Sequence, residues 1–67
     1  MTFAEAIHQV SKGNIVTCSC WKRTGEHLRM DSYKMLVYFN GTSYESVQVG
    51  YLALWMLQDQ NDWELAQ

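Results

Sequence analysis

Trp21-Lys22-Arg23 is the run of residues in this chain best suited to chemistry. A flat indole stacks on a nucleobase, and adjacent cations reach an attached phosphate through charge-assisted hydrogen bonds. The same ring at a sheet rim or a subunit contact would be structural, and these residues alone leave both readings open. Cys18-x-Cys20 places two thiols on one face of an extended strand. Zinc asks for further ligands, which His8 and His27 do not supply in a matching spacing, so both thiols are read as small core residues and no metal site is expected. The carboxylates of Glu5, Glu26, Asp31, Glu45, Asp59, Asp62 and Glu64 show no spacing that singles out a glycosidase-like pair. No cysteine–histidine signature or Gly-rich phosphate loop is present. No catalytic residue and no cofactor are expected, and a binding module is a better reading than an enzyme.

These residues depend on a small set of elements. Thr2 and Glu5 stand in capping-box relation, Phe3, Ala6, Ile7 and Val10 follow at helical spacing, and Lys12-Gly13 is a stop, so a helix is expected over 2–12. The segment 15–22 then alternates as a strand. Val16, Cys18 and Cys20 are expected on the face under the helix, and Ile15, Thr17, Ser19 and Trp21 on the other, which leaves Trp21 partly uncovered. Leu28 and Met30 suggest a short half-exposed strand, and 34–39 is strand-like. Asn40-Gly41 signals a hairpin because both residues tolerate positive φ, with a return strand over 42–49. Val49, Leu52, Ala53, Met56 and Leu57 share a helical stripe, so a short helix is expected over 50–58, with Trp55 off the stripe, exposed or covered by a partner chain. Asp59-Gln60-Asn61 breaks that helix, and 62–66 is a last strand with Trp63 in the core. The expected architecture is a single α+β domain over 1–67: an N-terminal helix on an antiparallel sheet, with a short second helix before the last strand.

Composition limits the partners. Three tryptophans, four tyrosines and two phenylalanines are many for 67 residues. A domain of about 60 residues hides only about 60% of its unfolded surface, so some rings are expected to be covered by other copies in a homo-oligomer. The net charge is −2 with scattered signs, which argues against DNA or RNA as a partner. No run is long and apolar enough for a membrane span, and the N-terminus lacks a signal peptide's pattern, so a cytoplasmic protein with reduced thiols is expected.

The order of several motifs resembles a known family. Phe3-x-x-Ala6-Ile7, Lys12-Gly13, the strand reaching Trp21, and Gly50-Tyr51-Leu52-Ala53 leading to Asp62-Trp63-Glu64 are similar to the second Thoeris anti-defence family. These are small phage proteins that trap cyclic nucleotide immune signals, with an anti-CRISPR relative. The resemblance covers roughly the first 21 and the last 18 residues. It implies a non-enzymatic sponge in the host cell cytoplasm: a homotetramer holding a cyclic ADP-ribose isomer or a cyclic di- or trinucleotide between protomers. Trp21 and Tyr51 would stack bases, and Lys22 or Arg23 would meet phosphates. Tyr51 stands where the family has a ligand-holding tryptophan, Thr17-Cys18-Ser19-Cys20 where it has basic residues, and Leu54 and Leu57 where it has Ser and Asp. The competing reading is an inhibitor that binds a host defence complex through an aromatic surface.

Overall fold

The computed structural model describes residues 1–57 and 62–66. Helix α1 (Phe3–Ser11) starts as its sequence demands. The Glu5 N–H donates to Thr2 Oγ1 at 3.2 Å, and the Thr2 N–H donates to Glu5 Oε1 at 2.9 Å, which satisfies two backbone donors that would otherwise lack partners. Gly13 ends the helix with φ 95° and an N–H donated to the Val10 carbonyl. Phe3, Ala6 and Val10 are buried against the sheet.

That sheet has five antiparallel strands: β1 (Val16–Cys18), β2 (His27–Met30), β3 (Leu36–Phe39), β4 (Tyr44–Ser46) and β5 (Trp63–Leu65). Their order is β4-β3-β2-β1-β5, so the first and last strands in sequence lie side by side, with Cys18 opposite Trp63. Helix α2 (Val49–Leu57) precedes β5, which completes the α+β architecture expected from the sequence. Met1 exchanges backbone hydrogen bonds with Trp63 and so pairs the start of the chain with β5. Leu28, Val10 and Val16 form the fully buried aliphatic centre.

Several boundaries differ from the sequence reading for local reasons. The first strand stops at Cys18, and Ser19–Trp21 forms a 3-10 turn. A 3-10 turn has three residues per turn, so the residue three after Cys18 returns to its side. Trp21 therefore enters the core at 9% exposure, while Cys20 is turned out to solvent, the reverse of the face expected for each. The third strand begins at Leu36 rather than Lys34. Asp31 Oδ1 accepts from the Tyr33 and Met35 N–H groups, and this turn holds Lys34 at φ 62°. The Asn40-Gly41 hairpin is present, but its loop spans 40–43 with Phe39 opposite Tyr44. Asn40 Oδ1 accepts from the Thr42 and Ser43 N–H groups, and of the two expected residues only Gly41 has positive φ. The return strand is correspondingly shorter than 42–49. Gln58 and the breaker Asp59-Gln60-Asn61 lie outside the described residues.

Helix α2 is turned away from most of its expected stripe, of which only Leu52 packs against the core. Val49, Met56 and Leu57 are exposed, and Trp55 is buried. Apolar residues surround this helix almost completely, so the stripe that periodicity picked out is not the face that packs. The aromatic rings beneath it decide the orientation. Trp55 packs on Trp21 (centroids 5.5 Å apart, 78°), on Phe3 (6.1 Å) and on Tyr38 (5.5 Å). Trp21 also meets Trp63 edge-on at 5.1 Å and Tyr38 at 5.3 Å.

Trp21 is thus a packing residue of the single chain. Trp21→Ala and Trp63→Ala are each expected to remove about 3–5 kcal/mol of stability, the usual cost of deleting a buried ring. Denaturant melts check this, and a variant of Trp21 as stable as the parent would contradict the packing described here.

Candidate functional site

The four residues singled out in the sequence occupy two environments. Trp21 and Tyr51 belong to one ring cluster, connected through Tyr38 and Trp55. Tyr51 stacks almost parallel on Trp55, with centroids 5.5 Å apart and planes at 13°. At 37% exposure it is the most open ring of the cluster. Trp21 shows only its margins, at two clefts.

Neither cleft assembles the clamp expected from Trp21-Lys22-Arg23. The larger, about 530 Å³, is bounded by Cys18, Ser19, Cys20, Trp21, Trp55 and Asp62 among others, and no cationic side chain is among its described walls. Ser19 Oγ donates to Asp62 Oδ2 at 2.6 Å across it. The smaller, about 330 Å³, includes Lys22, but also Glu26 and Glu64. Lys22 Nζ is 2.6 Å from Glu64 Oε1, so its charge is already paired. Arg23 is exposed, and no ion pair engages it among the described residues.

Glu26, one of the carboxylates considered for catalysis, is tied into the fold. It accepts from the Tyr38 and Thr24 hydroxyls, while its backbone carbonyl accepts from Thr17 Oγ1 at 2.8 Å. Burial, and then the Glu26 carboxylate, push the Tyr38 hydroxyl well above the ordinary phenol range. Burial first, then the hydrogen bond that Cys18 shares with Cys20, push the Cys18 thiol up to about 12.

A second aromatic group escaped the sequence reading. On the sheet face opposite the core, the His27 ring stacks on Phe39 (5.0 Å, 23°), and Phe39 lies 4.9 Å from Tyr44. His27 Nε2 and Tyr44 Oη are 3.2 Å apart, and the Arg29 guanidinium lies 6.0 Å from the Tyr44 ring centre. Strand alternation already put His27 and Arg29 on one face. What the sequence did not show was the register that sets His27 opposite Phe39 and Phe39 opposite Tyr44.

No protein-family model, curated protein or solved structure matches this chain. No described helix is long and apolar enough to cross a membrane. The two polar contacts of this region should differ in weight. Lys22→Ala, at an exposed ion pair, is expected to change stability by less than about 1 kcal/mol. Tyr38→Phe removes a hydrogen bond to a carboxylate and should cost about 1.5–3 kcal/mol. Paired urea titrations compare them, and equal losses would contradict this ranking.

Proposed function

We propose that this protein is a binding module that sequesters a cyclic nucleotide immune signal without degrading it, a phage anti-defence sponge acting in the host cytoplasm. The observation that carries this reading is Tyr51. One side of its ring lies on Trp55, and 37% of the residue is open, so a base can extend the stack. Tyr51 also stands at the position where the resembling family has a ligand-holding tryptophan. Trp21 supports this stack from the core and is not itself the platform. Arg23 is the freer of the two cations for a phosphate, because Lys22 is paired with Glu64.

Assembly is part of the proposal. From Val47 to Gln58 the chain has no charged residue, and Val49, Leu54, Met56 and Leu57 are exposed on α2. A surface of this kind favours contact with further copies, and a tetramer built from dimers would bring Tyr51 rings near protomer boundaries. Sequestration then lowers the free signal by mass action, set by affinity and copy number. The outer-face group of His27, Phe39 and Tyr44 favours a second reading, an inhibitor that docks on a host defence complex.

Incubation with a panel of cyclic nucleotides, followed by denaturation and analysis of what is released, tests the proposal. Depletion and intact return are expected. Altered ligand would mean an enzyme, and no depletion would leave the protein-docking reading. Tyr51→Ala should weaken binding by about 1–3 kcal/mol in calorimetry while the fold persists. Leu57→Asp, at a residue 86% exposed, should dissociate the oligomer and leave the protomer folded. Light scattering that gives a monomer for the parent protein would remove the assembly from this account.

A further inference from the structure

The 3-10 turn that buries Trp21 also brings two thiols together. Cys18 Sγ and Cys20 Sγ are 3.1 Å apart, in hydrogen-bonding contact, with only Ser19 between them in sequence. Their environments differ: Cys18 is buried at 5% exposure beneath the sheet's core face, and Cys20 is exposed. Both line the larger cleft, so a small molecule has room beside the pair. Among the described residues no group of three or more metal-ligating side chains includes them, and two sulfurs alone do not complete a zinc site.

We propose that Cys18 and Cys20 form a redox dithiol site whose substrate is a small-molecule disulfide. The exposed Cys20 thiolate attacks one sulfur of the disulfide RS–SR. A Cys20–S–S–R bond forms, and RS⁻ leaves and takes up a proton. Cys18 then loses its proton to solvent, and its thiolate attacks Cys20 Sγ. The Cys18–Cys20 disulfide forms, and a second RS⁻ departs. The protein dithiol gives up two electrons, and RS–SR is reduced to two RSH molecules.

The asymmetry of the pair sets this order. Burial first, then the hydrogen bond that Cys18 shares with Cys20, then the charges of an ionised Cys20 and of Asp62, keep the Cys18 thiol protonated. A protonated, buried thiol is a poor first nucleophile. Once Cys20 is capped, its hydrogen bond and its charge no longer act on Cys18, which frees Cys18 to complete the ring. The remaining approach, from 3.1 Å to the ~2.05 Å of a disulfide, is short. The cleft wall also selects among disulfides. Asp62 is there, with no cationic side chain among the described lining residues, so a cationic disulfide such as cystamine is favoured over the anionic glutathione disulfide. A pair of this kind, with one exposed sulfur, suits reversible rather than structural oxidation.

The site uses neither Tyr51 nor Arg23, so it can fail without affecting the ligand proposal. The folded protein is treated with cystamine and followed by intact mass and thiol titration. The parent is expected to lose two hydrogens and both free thiols without retaining an adduct. Cys18→Ala should stop at a cysteamine adduct on Cys20, and Cys20→Ala should stay reduced over the same time. Glutathione disulfide should oxidise the parent more slowly than cystamine. Retention of the adduct by the parent, disulfide-linked dimers, or no reaction at all would overturn the proposal. So would a Cys20→Ala variant that reacts as fast as Cys18→Ala. Equal rates for the two disulfides would remove the role given to Asp62.

Discussion

Burial of the Trp21 indole among Trp55, Trp63 and Tyr38 is the contact that the other elements accommodate. Trp63 belongs to β5, Trp55 to α2, Tyr38 to β3, and Phe3 of α1 touches both tryptophans. A buried aromatic ring removes some 150–250 Å² from water, a gross gain of about 4–6 kcal/mol before the cost of ordering it. Few aliphatic contacts in so short a chain compete with that. The edge-on arrangements at 78° and 87° add the electrostatic preference of ring edges for ring faces.

This cluster explains why the molecule is apolar where it is. The core has room for one side of α2, and Trp55 takes it with Leu52 beside it, so Val49, Leu54, Met56 and Leu57 are left outside. It also explains the layout of the clefts. Rings that meet edge-on leave gaps at their margins, and the larger gap opens beside the two cysteines and Asp62. The charged residues next to Trp21 do not converge on it. Lys22 bonds across to β5, where the pairing of β1 with β5 has put Glu64.

Hydrogen bonds from short polar side chains hold the rest of the chain in register. Thr2 and Glu5 start α1, Asp31 closes the β2–β3 turn, and Asn40 closes the next. Each uses a side-chain oxygen to accept from backbone N–H groups that the turn would otherwise leave unpaired. The outer-face stack of His27, Phe39 and Tyr44 follows from the register these turns impose.

By itself the sequence determined what local physics can decide. The capping box and the stop at Gly13 specified α1, and the alternation of Leu28 and Met30 specified a strand. Asn40-Gly41 specified a hairpin, and the helix before Trp63 was legible from spacing, so the α+β class followed. Tertiary structure alone decided which way the rings face. Alternation placed Trp21 outward because a strand repeats every two residues, but the chain there changes to a repeat of three, and the gain from packing Trp21 with Trp55 and Trp63 rewards that change. The stripe read for α2 put Trp55 off the core and failed for Val49, Met56 and Leu57, because nearly every side of this helix is apolar. Rings from three other elements, Phe3, Trp21 and Tyr38, chose its face and set Tyr51 at the surface, while the 3-10 turn that buries Trp21 brought Cys18 and Cys20 into contact.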